Sequence, residues 1–532
     1  MVHRAQPIPG ILLLILMTSL LISCEDKSPS HQNDFVVLLD ASINGFDPRF
    51  PVGDSSAKLI GLIHAGLVST DTPNGKPELE LAKAIHQRSD TVYDIELHPG
   101  LTFHDGHPLT ASDVEYTLME LGSDLISSPL AGMTRRIKSF TIHDDLHFTI
   151  ELNEPRAPFL VELSMGIVPK HLCDGLKQCP APHVGAGPFQ FAEQSQDQHT
   201  VRLTAFDDYV QGKPSLPALS FRVVKDDNTR LIALLGKSAD LVQNAVSPLM
   251  LPVVEDAEGL VIQKDQSFKY TYLAFNLRRE ILQDLRVRQA IAYALDRESI
   301  IKHKYRGLAQ LSTGMLAPGH WAYNPDVARY DYDIEKAKKL LDEAGYTDPD
   351  GDGPQMRFEL ELKVSSNKFR RALAQLMANQ LARVGIGIKV RSYEWGTYFH
   401  DVKSGNFDLT TLQWPSVLEP SLYHWVFHSS NIPSPDNVSA GANRGAYRNE
   451  EVDHLLEDGM IETDLEKRKQ IYDRIQEILA SELPYVSLWH EDNVAVLRQG
   501  IKGYITTPNA RFEGLKVTSR AKAQGEHNDT AQ

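Results

Sequence analysis

Cysteine is scarce, at three in 532 residues, and basic charge is short. Lys and Arg number 54 against 70 Asp and Glu, so the net charge is −16. An acidic surface repels phosphate backbones, and no basic stripe or Arg-rich arm offsets it, which argues against a nucleic-acid partner. Catalytic signatures are missing too. No G-x-S-x-G elbow, H-E-x-x-H helix or S-x-x-K nucleophile stands in a supporting context, so a hydrolase is disfavoured. Gly236-Lys237-Ser238 mimics the end of a phosphate loop, but Leu231 occupies the place of its first glycine and no nucleotide is assigned. What is present is an ordinary globular balance, 42% hydrophobic and 23% charged. A chain of this length holds two or more domains or one large multi-lobed body.

The N-terminus couples a basic start (Arg4) to an apolar run from Ile11 to Ile22, then small Ser23 and Cys24. That run is too short for a membrane span and a polar segment follows it, so residues 1–23 read as a signal peptide. Leu21-Ile22-Ser23-Cys24 resembles the bacterial lipoprotein box, which implies a lipidated Cys24 as the first mature residue. The alternative is an ordinary secreted protein cleaved nearby. Residues 24–33 then form the lipidated Cys and a flexible polar tether. The other two cysteines, Cys173 and Cys179, are close enough to form a small local disulfide outside the cytoplasm, with two free thiols as the alternative. Without histidines at ligand spacing, zinc is a poor reading of the pair.

Hydrophobic periodicity sets out the elements. Phe35–Leu39 reads as a strand, Ser56 onward as a helix carrying Leu59, Leu62, Ile63 and Leu67 on one side, and "TVYDIELHPGLTFHDGHPLTASDVEYTLMEL" as a strand, a turn around Asp105-Gly106 and a helix. Thr110 with Asp113 marks a helix start. Strand-like runs recur in "GPFQFAEQ", "TVRLTAF", "LSFRVV" and "YTYLAFNL", with a short helix in "DDNTRLIALLGKSADLV". Asp333 is an N-cap for "IEKAKKLLDEAGY", and Gly345 suits the C′ position, where positive φ is needed. In "MRFELELKV" apolar and polar residues alternate, a helix follows through Phe369, Leu373, Leu376, Leu381 and Val384, and "GIGIKVRSY" closes a β-α-β unit with parallel strands.

Between that capped helix and the alternating strand lies "DPDGDGPQMRFE". Asp348, Asp350, Asp352, Gly353 and Glu359 satisfy the EF-hand string. A strand after the loop carries Glu359 away at about 3.3 Å per residue instead of curling it back toward the cation. A weak calcium site on Asp348, Asp350 and Asp352 is what remains. His104 and His107 in "FHDGHP" are a thin metal pattern without further ligands.

The segments "LIGLIHAGLVSTD", "LHPGLTFHDGHPLTASDVEYTL", "GAGPFQF", "YLAFNLRREILQDLRVRQAIAYALDRESII", "YDIEKAKKLLDEAGYTDPDGDG", "GNFDLTTLQW" and "RKQIYDRIQEILASELPYVSLWH" follow one another in an order with a known counterpart. From about Phe35 to Leu515 the chain resembles the bacterial extracellular solute-binding proteins of family 5, which serve peptide, oligopeptide and nickel ABC importers. The resemblance implies an α/β fold like the periplasmic binding proteins (type II, cluster C), with three lobes and a two-segment hinge. Lobe I would be 34–68, 180–276 and 486–520, lobe II 69–179 and lobe III 277–485, with crossings near Asn276 and Tyr485 and a polar tail at 521–532. It also implies a periplasmic or cell-surface monomer, anchored through Cys24, that binds a peptide or peptide-like solute and delivers it to ABC permease subunits. No cofactor and no chemical step are implied.

All five tryptophans (Trp321, Trp395, Trp414, Trp425, Trp489) lie in the stretch assigned to lobe III and its return crossing. Trp414 and Trp489 sit where family members place ligand contacts, whereas Trp321, Trp395 and Trp425 read as core. In many peptide-binding members an aspartate three residues after the counterpart of Trp414 pairs with the peptide α-ammonium. Here that residue is Val417, so either Glu419 takes the role or the ligand lacks a free N-terminus. The remaining candidate contacts are Asn44, Phe46, Gln413, Arg444, Tyr447 and His490, with Arg444 offering a fork for a carboxylate. Rival readings are a ligand sensor or chaperone-like scaffold of the same fold without an importer, and a binder of a non-peptide solute.

Overall fold

The computed structural model describes residues 33–50, 53–72, 75–351, 353–434 and 441–521. The chain divides into a unit of residues 1–34 and a unit of residues 35–532. The expected signal peptide, Cys24, the expected tether up to residue 32, Asp352 and the expected polar tail from residue 522 lie outside the described residues. The second unit contains three larger sheets.

A seven-stranded sheet runs in the order Leu260–Asp265, Asn493–Arg498, Leu241–Gln243, Phe35–Leu39, Ala218–Val223, Thr200–Ala205, Phe189–Gln194. Its strand Phe35–Leu39 is parallel to both neighbours. All five of its residues are buried. Phe35, Val37 and Leu39 face one core and Val36 and Leu38 the other, which is why "FVVLL" is apolar without alternation. A four-stranded antiparallel sheet is drawn wholly from residues 82–152, in the order Ala82–Ser89, Val92–Leu97, His147–Leu152, Ile137–Ile142. The chain leaves for it and returns from it side by side: Leu67 N donates to Leu163 O at 3.0 Å and Ile167 N to Ala65 O at 2.9 Å.

The six-stranded sheet has the order Ala309–Leu311, Tyr485–Glu491, Tyr270–Phe275, Leu409–Trp414, Phe358–Ser365, Ile386–Tyr393. Phe358–Ser365 is parallel to Ile386–Tyr393 and to Leu409–Trp414, with the helix Lys368–Ala382 between the first two, as the β-α-β pattern requires. Tyr270–Phe275 puts Leu273 and Phe275 into the core on one face and Tyr270, Tyr272 and Ala274 into the core on the other. This membership shifts the expected crossings. The strands at 270–275 and 485–491, expected on the lobe I side, are buried on both faces of the six-stranded sheet. The chain therefore passes from the seven-stranded to the six-stranded sheet at 266–269 and back at Asp492. The two passages are tied together, since Ser267 Oγ donates to Glu491 O and His490 Nδ1 meets Lys269 O at 3.2 Å.

Local signals act as the sequence indicates at several ends. Thr110 N donates to Asp113 Oδ2 at 3.0 Å, closing a capping box on the helix Ala111–Glu120. Asp333 caps Ile334–Glu343 through Lys336 N at 2.9 Å, and Gly345 has φ +93°. One helix is shorter than expected. Asp54–Ile63 stops before Leu67: His64 is extended, the Ile63 carbonyl accepts from Gly187 N at 2.8 Å, and at Gly66 the chain presses against the backbone of Ser164, where a Cβ would lie 2.7 Å from its carbonyl. Cys173 and Cys179 are joined, with Cα atoms 4.6 Å apart. Among the described residues no helix is long and apolar enough to cross a membrane.

Candidate functional site

At the carboxyl ends of the parallel strands Phe358–Ser365 and Leu409–Trp414 lies a cavity of about 400 Å³. Ends of parallel strands gather loops and helix starts, so such edges favour ligand sites. Ser365 and Trp414 end their strands here, the helix Lys368–Ala382 brings Arg370 in its first turn, and the helix Trp395–Lys403 brings Trp395 and Phe399. Tyr272 forms part of the wall, and Arg444 enters from the loop before the helix Glu450–Ile461.

Several polar atoms in this cavity are unspent. Arg370 Nη1, Thr411 Oγ1, Trp414 Nε1 and Arg444 Nε are shielded from solvent and have no hydrogen-bond partner among the described residues. Buried polar groups are normally paired, and each one left unmade costs about 1–3 kcal/mol. Arg444 lies over the rings of Phe399 and Trp414, its guanidinium carbon 5.1 and 5.7 Å from their centres. Arg370 is positioned by Gln413, whose Oε1 accepts from Nη2 at 2.6 Å, and by Glu491 at 3.8 Å. Burial opposes ionisation of Glu491, but Lys269 and Arg370 outweigh it and hold its carboxyl below the usual range. The described lining contains no Asp or Glu.

A second cavity, of about 370 Å³, lies among Tyr270, Tyr323, Tyr330, Tyr423 and Tyr485. Its polar groups are spent. Arg297 donates to the carbonyls of Ser487 at 2.7 Å and Tyr330 at 2.6 Å, Tyr270 OH meets Ser487 Oγ at 2.8 Å, and Tyr423 OH accepts from Met315 N at 3.1 Å. Unspent donors therefore distinguish the first of these two cavities from the second.

Of the residues selected from sequence, Gln413, Trp414 and Arg444 meet in that cavity. The others are placed elsewhere, each for a physical reason. Phe46 packs edge-on to Phe191 at 5.4 Å in the core of the seven-stranded sheet, and the Asn44 side chain is exposed beside it on the same loop. Glu419 is paired with Arg468, which is itself buried. Val417 is 1% exposed and belongs to the apolar core. Tyr447 is buried and its hydroxyl donates to Glu482 Oε2. Trp489 is 0% exposed and packs on Tyr305 at 5.0 Å, which makes it core instead of a cleft residue. His490 lies between Ser312 Oγ, at 3.0 Å, and Lys269 O, and burial lowers its pKa to about 4, so it is a neutral clamp on the crossing. Conversely Trp395, expected in the core, is 54% exposed at the cavity, and Trp425 is 43% exposed. Arg370, Tyr272 and Phe399 were not singled out from sequence; an arginine in the first helical turn after a parallel strand was the available signal for the first of them.

The described residues of the metal patterns also engage in hydrogen bonds. Asp348 Oδ1 accepts from Asp350 N at 3.2 Å, Asp350 Oδ2 from Gln355 N at 3.0 Å, and Glu359 pairs with Lys389 on the neighbouring strand. His104 is buried against Gly187 O at 3.0 Å, and burial lowers its pKa to about 4. His107 turns outward, where its ring stacks on that of His171 at 3.9 Å around the Asp105 carboxylate.

Known proteins share this architecture. The oligopeptide-binding protein AppA of Bacillus subtilis is 28% identical, with 93% of each chain aligned, and its structure in complex with a nonapeptide has a TM-score of 0.78, covering 92% of this chain and 99% of that one. A probable di/tripeptide-binding protein 5 of Pseudomonas aeruginosa is 30% identical over 92% of this chain and 96% of its own. NikZ of Campylobacter jejuni, solved with Ni(L-His), is 26% identical with a TM-score of 0.79, covering 92% of this chain and 99% of that one. The profile of the bacterial extracellular solute-binding proteins, family 5 (middle), matches residues 76–434, and the chain belongs to that family.

Proposed function

We propose that the protein is the solute-capturing component of an ABC importer: it holds a peptide or peptide-like solute in the cavity walled by Trp414 and Arg444 and presents it to a membrane permease. The observation that carries this reading is the group of buried, unspent polar atoms on Arg370, Thr411, Trp414 and Arg444 around one hollow of about 400 Å³. That volume suits a small ligand, and the aromatic walls with few polar groups suit retention without chemistry. Relatives named for oligopeptides and for di- and tripeptides support the solute class. The paired passages at 266–269 and Asp492 would serve as the hinge between a lobe around the seven-stranded sheet and one around the six-stranded sheet, with the four-stranded sheet as the third.

The N-terminal segment, with Cys24 as its lipidation point, would hold a monomeric protein at the outer side of a membrane; Cys24→Ser should release it into the soluble fraction. A non-peptide solute is the second reading, favoured by the burial of Val417 and the engagement of Glu419 with Arg468. Native mass spectrometry of the purified protein, followed by denaturation, tests the function. A released small solute is expected, and Trp414→Ala should abolish its retention while the fold persists. Retention unaffected by Trp414→Ala would refute the assignment of the cavity, and cleavage of added peptides would refute a purely binding role.

A further inference from the structure

The cleft offers hydrogen-bond donors and positive charge with little to balance them. Arg370 Nη1, Trp414 Nε1 and Arg444 Nε are all donors, and none has an acceptor among the described residues. Three cations, Lys269, Arg370 and Arg444, are set at or just behind the wall, and Glu491 faces two of them, at 3.8 Å from each. Lys269 and Arg370 share the Glu491 carboxylate, Lys269 also acts on Asp54, and Arg444 faces no acid in the described lining, within a chain whose net charge is −16. The carboxylate nearest in sequence to Trp414, Glu419, is committed to Arg468, and Val417 is buried in apolar core. The helix Lys368–Ala382, capped by the neutral Asn367, begins at the cavity and adds partial positive charge there, whereas the start of Trp395–Lys403 is offset by its capping carboxylate Glu394, which accepts from Gly396 N at 2.7 Å.

Resting on the reading of this cavity as the solute site, we propose that it selects an anion: a solute whose carboxylate is held between Arg370 and Arg444, with a planar or apolar part against Trp395, Phe399 and Trp414, and with no requirement for an α-ammonium group. A carboxylate supplies the acceptors that the buried donors lack, and planar guanidinium groups match its geometry. An ammonium placed here meets cations and no described acid in the lining, so a free N-terminus gains nothing.

The test uses the full purified protein, freed of co-purified solute by partial unfolding and refolding. It is exposed to an equimolar mixture of N-acetyl-Ala-Phe, Ala-Phe and Ala-Phe-amide, which are an anion, a zwitterion and a cation of one size. Retained molecules are counted by native mass spectrometry for the wild type, Arg370→Gln, Arg444→Gln, Arg444→Lys and Trp414→Ala. The expected result is retention of the acetylated anion at least as strong as that of the zwitterion and at least about tenfold above the amide, the equivalent of one charge-assisted hydrogen bond. Either glutamine variant should remove the preference, and Arg444→Lys should keep part of it. Retention of the amide equal to or above the anion, or an unchanged preference in both glutamine variants, overturns the anion selection. If retention is also lost in Trp414→Ala, the cavity itself stands as the solute site. Retention of none of the three by the wild type, or retention indifferent to Trp414→Ala, overturns the assignment of the cavity and the anion selection with it.

Discussion

Glu419→Gln separates two roles that the sequence leaves open for one carboxylate, ligand partner and structural partner. Glu419 pairs with Arg468, a residue 4% exposed that also donates through Nε to Gly459 O at 2.9 Å. Two unit charges about 4 Å apart attract by about 4 kcal/mol at an effective dielectric near 20. Burial works against the pair: it pushes the Glu419 pKa upward, and the Arg468 charge pulls it back without restoring it. Glutamine keeps the shape and can still accept a hydrogen bond, but it leaves Arg468 a buried cation without a counter-charge. Removing one partner of such a pair costs about 3–5 kcal/mol, and the retained hydrogen bond returns about 1 kcal/mol of it. The expected loss is therefore about 2–4 kcal/mol. The double variant Glu419→Leu with Arg468→Met removes both charges and should come within about 1 kcal/mol of the wild type. Urea unfolding reads all three proteins, with the single variant alone shifted to a clearly lower midpoint. Calorimetric titration with the co-purified solute should give the same Kd for the single variant as for the wild type. A wild-type midpoint combined with a large loss of affinity would refute the structural assignment and return Glu419 to the ligand.

Two further outcomes follow from features away from the cavity. Replacing Cys173 and Cys179 with serine opens a loop of sequence separation 6 and should cost about 2 kcal/mol, read as a lower thermal midpoint that dithiothreitol reproduces in the wild type. At the return crossing, burial and then the neighbouring Asp265 raise Asp492 to about 6 from 3.8. A folded-state pKa above the unfolded one favours the protonated native protein, so this contribution is fully present below about pH 4 and lost as pH rises toward about 6. Asp492→Asn should then stabilise the protein by about 1 kcal/mol at neutral pH, allowing for partial solvation, and leave it unchanged near pH 4 in paired thermal melts.

Much of the fold is legible where one physical signal dominates. The strand Phe358–Ser365 alternates because one of its faces is more open than the other, and Asp333, Thr110 and Gly345 announce helix ends because unsatisfied backbone groups need those side chains or that φ. The strand Ala82–Ser89, "AKAIHQRS", gave no signal, since after Ala82 none of its residues is fully buried. The site was harder. A tryptophan contributes the same apolar signal to a core as to a cleft, so Trp489 and Trp395 were exchanged: the first fills the interior of the six-stranded sheet and the second is open at its edge. Which side chain meets which is set by the stacking of Phe358–Ser365, Leu409–Trp414 and Tyr270–Phe275, and local periodicity does not carry that order.

The side-by-side exit and return of the chain around the four-stranded sheet has a consequence for how such a molecule diversifies. With Leu67 bonded to Leu163 and Ala65 to Ile167, the ends of the excursion already stand at the separation of a tight turn. Shortening, lengthening or exchanging the intervening stretch changes loop-closure entropy only logarithmically, by about 0.6 kcal/mol for each doubling of length. The ladder Phe35–Leu39 with its parallel neighbours sits outside the excursion and carries no residue from it. What constrains the excursion is therefore its contacts with the rest of the chain, such as Tyr209 OH to Glu80 at 2.7 Å, His104 to Gly187 O and Ser128 Oγ to Arg49 O at 2.8 Å, and not the length of chain between its ends.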